Sequence, residues 1–241
     1  MNAIVLFGDV IRSRRNATGS TTWLRTLTAE LEATSPAGSL LAPFEFTQGD
    51  ELQGLLAPGG DPLDAVLRAS FNPDRRPMRW VVVAGEVDPG SGPATQRTGP
   101  AFLRARERLA EAGARRDNLL MSSGDPLTDA LLDRLAPILA EMLDDLTQRQ
   151  RVIGRLLVID GLRPSEAADR LRISRATVSV VADRAHIRSI TRLASALLEL
   201  FASGQDAAGR ESAAPGPEAA GREAAGREVA GREVAGREAT G

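Results

Sequence analysis

The sequence predicts a mixed α/β unit followed by an all-α helix-turn-helix unit and a tail with no core of its own. Three observations carry this. Apolar strand-like runs alternate with helical periodicity over residues 1–124. The charge then changes sign: residues 1–146 hold 15 arginines against 20 acids, whereas residues 147–192 hold 10 arginines against four acids. Finally, Ala-Gly-Arg-Glu recurs five times, starting at Ala208, Ala220, Ala225, Ala230 and Ala235. The expected organisation is an α/β domain over 1–124, a connector helix over 125–146, a helix-turn-helix domain over 147–204 and a disordered tail over 205–241.

The elements follow from local chemistry. Residues 3–10 form an apolar strand, and residues 20–33 a helix with Trp23, Leu24, Leu27 and Leu31 on one face. Residues 43–56 read as a hairpin around Gly49-Asp50, where glycine at the first turn position suits a type II′ turn. A helix over 62–71 precedes a strand over 79–87, whose run Trp80-Val81-Val82-Val83-Ala84 requires burial on both faces. A helix over 100–112, stopped by Gly113, and a short strand over 118–121 complete the unit. The next helix starts with Asp125 as cap and Pro126 in its first position, and Pro137 is expected to bend or interrupt it. In the tail, a five-residue period with glycine in every copy has no apolar face with which to offset chain entropy.

Composition excludes several chemistries. There is no cysteine and one histidine, His186, so disulfides, thiolate metal sites, cysteine nucleophiles and multi-histidine centres are out of reach. No apolar run approaches the ~20 residues that span a bilayer, and the first nine residues read as a strand rather than a secretory signal. The expectation is a soluble, cytoplasmic chain without membrane contact. All 30 basic residues are arginine within a net charge of −2.

The most informative segment is residues 165–184. Ala167, Ala168, Leu171, Ile173, Val178 and Val181 supply the apolar contacts of two short crossing helices, with a small residue, Ala168, at the crossing. Ser174 is placed to cap the second helix. Ser174, Arg175, Ala176, Thr177, Ser179 and Arg184 are the candidate DNA-contacting residues, with Thr177 at the margin of the outward face. Helices over 147–160 and 185–201 flank them, and His186 is a further phosphate-contact candidate. With residues 146–152 upstream, this segment resembles the helix-turn-helix of sigma-factor region 4. It departs from the motif at Arg172, where glycine is usual; a non-glycine residue at positive φ there costs on the order of 1 kcal/mol.

In the acidic unit, Phe7-Gly8-Asp9-Val10-Ile11-Arg12-Ser13-Arg14 and Phe46-Thr47-Gln48-Gly49-Asp50-Glu51-Leu52-Gln53 each set an aspartate beside a strand. Asp9 and Asp50 could share a divalent cation such as magnesium, which would hold a phosphate; alternatively Asp9 caps a turn and Asp50 satisfies a tight hairpin. Arg12, Arg14 and Arg15 could reach the same phosphate or be solvated. Together with residues 79–88 and 99–106, these motifs resemble the SatD family of small bacterial proteins over nearly all of residues 1–200. More distantly, the order of motifs is similar to class III and diguanylate-type nucleotidyl cyclases, which implies a ferredoxin-like, cyclase-like domain using Asp9 and Asp50 for metal. Leu103 replaces the asparagine expected there, and Arg106 is offset by one from the expected arginine. The resulting expectation is a homodimeric, double-stranded-DNA-binding transcriptional regulator whose N-terminal domain serves as a sensor or dimerisation unit. The alternative is a metal-dependent nucleotide-binding protein or divergent cyclase.

Overall fold

The computed structural model describes residues 1–11, 17–47 and 50–213, without the side chains of residues 17, 18, 212 and 213. Expectations for Arg12, Arg14, Arg15, Gly49 and most of the repeat tail fall outside these residues. The fold is mixed α/β, with a five-stranded mixed sheet.

Strand β1 (Asn2–Val10) is the middle of a sheet ordered β2-β3-β1-β4-β5. It runs antiparallel to β3 (Glu51–Leu56) and to β4 (Met78–Glu86). Strand β2 (Leu40–Phe46) pairs antiparallel with β3, with register irregularities between Leu40 and Ala42 and between Ala42 and Glu45. Strand β5 (Leu119–Ser122) is parallel to β4. A central strand must be apolar on both sides, and Ala3 to Phe7 are all buried accordingly.

Alternation along the strands divides the core in two. Ala3, Val5, Phe7, Val81, Val83 and Leu120 face helix α3 (Pro100–Arg115). Ile4, Leu6, Trp80, Val82, Leu119 and Met121 face the other side. There they meet α1 (Ala17–Thr34), α2 (Pro62–Ser70), α4 (Pro126–Asp144) and α8 (Ile187–Ala213). Gly113 does not end α3. The helix continues to Arg115, and Arg116 closes it in the left-handed conformation at φ 64°. The reason is that the extra turn lets Arg115 pair with Glu111, Asp117 and Asp133.

Asp125 caps α4 through a 2.8 Å bond from the Thr128 amide. The helix runs through Pro137 as one element. Proline has no N–H for the carbonyl four residues back, and the Arg115 guanidinium of α3 donates to that carbonyl, Asp133 O, at 3.2 Å. At the other end, Arg75 donates to Leu143 O at 3.0 Å and to Asp144 O at 3.3 Å, satisfying carbonyls left free by the last turn. The helix is also a packed layer rather than a free connector. Leu132, Ala136, Leu139 and Leu143 are buried in one cluster with sheet residues and with Ile190, Leu197 and Phe201 of α8. Residues 1–205 accordingly form one compact unit. Helix α8 continues past residue 205 to Ala213, through the first repeat copy. Alanines without an intervening proline prolong the helix that Phe201 anchors.

Candidate functional site

The basic module begins with α5 (Gln148–Gly154), capped by Thr147, whose side chain and that of Gln150 bond each other's backbone N–H. A π-helical turn, Arg155–Ile159, follows it. Helix α6 (Pro164–Leu171) and helix α7 (Arg175–Arg184) then pack with α5 around Ile153, Leu156, Ala167, Ala168 and Val178.

The turn between α6 and α7 is set by backbone hydrogen bonding. Arg172 N–H donates to Asp169 O at 3.2 Å and Ile173 N–H to Ala168 O at 3.0 Å, the pair of bonds of a Schellman motif. Arg172 therefore sits at φ 55°, ψ 44°, the strained position marked by the missing glycine. Ile173 then packs, partly buried, against the cluster that includes Ala167 and Ala168. Ser174 Oγ accepts from the Thr177 amide at 3.0 Å and lies 2.8 Å from Thr177 Oγ1. The first turn of α7 is thereby held by its own side chains.

Burial of Val178 and partial burial of Val181 orient α7. Arg175, Ala176, Ser179 and Arg184 are exposed, Ser174 is exposed at the cap, and Thr177 is half-buried. The structure adds Val180, 48% exposed on the same outward side. Its one-turn spacing from Ala176 and Arg184, which places all three on one side of the helix, was the signal available in the sequence. Eight arginines of the module are exposed and in no ion pair among the described residues: 149, 163, 170, 172, 175, 184, 188 and 192. The other two point inward. Arg155 bonds Glu30 at 2.6 Å and Arg151 donates to Leu146 O. Such a surface can displace counterions from a polyanion and offers planar donors and one apolar tip to base edges. His186 is exposed at φ 52°, between α7 and α8.

The acidic pair is assembled by the sheet. Asp9 sits opposite Glu51 of β3 and Arg79 of β4, on the side of β1 that also carries Phe7. Asp50 is tied to the same strand by Val10 N–H donating to Asp50 O at 3.0 Å. Burial pushes the Asp9 carboxyl up to about 6; the Asp50 charge adds to this, Arg79 opposes it, and Glu51 contributes less. Arg79 reaches Asp9 at only 3.7 Å, too long for a strong pair. Among the described residues no three His, Cys, Asp or Glu side chains converge to hold a metal. Arg106 lies over the Phe7 ring at 5.6 Å from its centre, and Leu103 is 66% exposed.

Among the described residues, no helix is long and apolar enough to cross a membrane. The chain matches no protein-family model, and no curated protein matches it significantly.

Proposed function

We propose that this protein is a DNA-binding transcriptional regulator resembling the SatD family, with α7 as its recognition helix. In this reading the ferredoxin-like α/β layer serves as a dimerisation or sensor unit. One observation carries the proposal: a Schellman-turned, Ser174-capped helix pair presents Arg172, Arg175, Ala176, Ser179, Val180 and Arg184 outward within a module of net charge +6. Arg175, in the first turn, is the candidate for bidentate guanine reading, and Val180 for contact with a thymine methyl group. The surrounding arginines hold phosphates on either side of the groove.

The test is fluorescence anisotropy of the full chain with duplex DNA from upstream of its own gene and with random duplex, at two salt concentrations. The expected result is preference for the local DNA and a loss of roughly 1–3 kcal/mol on Arg175→Ala with the preference relaxed. Equal and weak binding to both duplexes, unaltered by that substitution, would overturn the reading.

A second reading is supported by the Asp9 carboxyl held near 6 beside Asp50: a magnesium-assisted nucleotide site, with cyclase-like chemistry as its furthest extension. Here Asp9 and Asp50 would hold the metal, which would neutralise phosphate charge. Nucleotide binding that requires magnesium and disappears in Asp50→Asn would establish it.

A further inference from the structure

Helix α4 buries Leu132, Ala136, Leu139 and Leu143 on one side, and it carries a second apolar line on the other. Leu127 is 82% exposed, Leu131 47%, Leu135 36% and Ile138 45%, with half-buried Met142 extending the line. Four of the seven exposed large apolar side chains among the described residues stand on this one helix, so they form a stripe rather than a scatter. At 1.5 Å per residue the stripe runs about 22 Å, and the outward side of a surface helix is ordinarily polar.

The flanking charges identify what covers it. Asp133 is taken by Arg108 and Arg115, and Asp144 by Arg75. Arg134 and Glu141, which border the stripe two turns apart, are both exposed and in no ion pair among the described residues. We propose that α4 is the contact between two copies of this chain, paired antiparallel about a two-fold axis near Pro137. The spacing then sets Leu135 against the partner's Ile138 and Leu131 against the partner's Met142. The same register brings Arg134 to the partner's Glu141 and Glu141 to the partner's Arg134. A parallel pairing would set each charge against its own kind, so charge complementarity selects the antiparallel one. Residues 214–241 do not suit the stripe: their only apolar side chains larger than alanine, besides Pro215 and Pro217, are Val229 and Val234. This surface rests on the regulator reading only for its consequence on DNA, where it would set the spacing of the two α7 helices.

The experiment is light scattering of the full chain over a concentration series, with circular dichroism melts as a check on folding. A dimer is expected, with Leu135→Glu giving a folded monomer. Arg134→Glu and Glu141→Arg should each weaken the dimer by roughly tenfold, and the double exchange should restore it. A monomeric wild-type chain at every concentration would overturn the proposal, as would a dimer unaffected by Leu135→Glu or a folded double exchange no tighter than either single change. Failure of these tests with local DNA preference intact removes the interface alone. A dimer that responds as expected but shows no DNA preference removes the regulator reading alone.

Discussion

Replacing Asp9 with asparagine tests the environment that the sheet builds around it. A carboxyl raised from 3.8 to about 6 is less stable as an anion in the folded chain by about 3 kcal/mol at neutral pH. With 31% of the side chain exposed, solvent screening halves this to roughly 1.5 kcal/mol. The asparagine amide keeps the shape and removes the charge that Asp50 and Glu51 oppose, so Asp9→Asn should stabilise the chain by about 1–2 kcal/mol at pH 7.5. The pH dependence has a definite sign. Between pH 3.8 and about 6 the folded state holds a proton that the unfolded state releases, so wild-type stability falls as pH rises through that window. The gain in the variant should therefore be absent below the window and complete above it. Urea denaturation at pH 3 and 7.5, in a chelator, measures both. A variant less stable than wild type at pH 7.5, or a gain equal at both pH values, would refute the electrostatic account. Added magnesium that stabilises wild type but not Asp9→Asn would support the metal reading.

Arg172→Gly should relieve the left-handed strain at φ 55°, raising stability by about 1 kcal/mol while lowering the salt slope of DNA binding by about one; a lowered melting temperature would contradict this. A Cβ at Gly154 would overlap the fully buried Phe71 ring, so Gly154→Ala should cost roughly 1–3 kcal/mol in urea denaturation. Neutrality there would show that α5 can shift on the sheet layer. Glu30 accepts from Arg68 at 3.2 Å and Arg155 at 2.6 Å, tying α1 to α2 and to the π turn. Glu30→Ala leaves those two arginines facing each other and should cost about 1–3 kcal/mol, well above an exposed pair; a change under about 0.5 kcal/mol would show that solvent already separates them.

Local chemistry made much of the fold legible. The continuous apolar runs of β1 and β4 demanded burial on both faces, and Asp125-Pro126 and Ser174 announced helix starts that their side chains do cap. Arg172 was readable as a strained turn because the residues around it already spelled out two crossing helices. Misreadings arose where a distant residue decided the outcome. Pro137 argues for a break when α4 is viewed alone, and the missing bond is supplied by Arg115, from another helix. Gly113 argues for a stop, but α3 has ion pairs to complete beyond it.

Most strands, helices and turns, and the basic character of the module, are written locally, because they depend on neighbours within a few residues. Packing settled that α4 is a layer of the core with a bare outer stripe, that two of the module's ten arginines turn inward, and that the Asp9 carboxyl lies within reach of the charges on Asp50, Glu51 and Arg79. Those outcomes depend on which surfaces remain after packing and on how far charges from separate strands lie in a medium of low dielectric, and neither quantity is carried by local sequence.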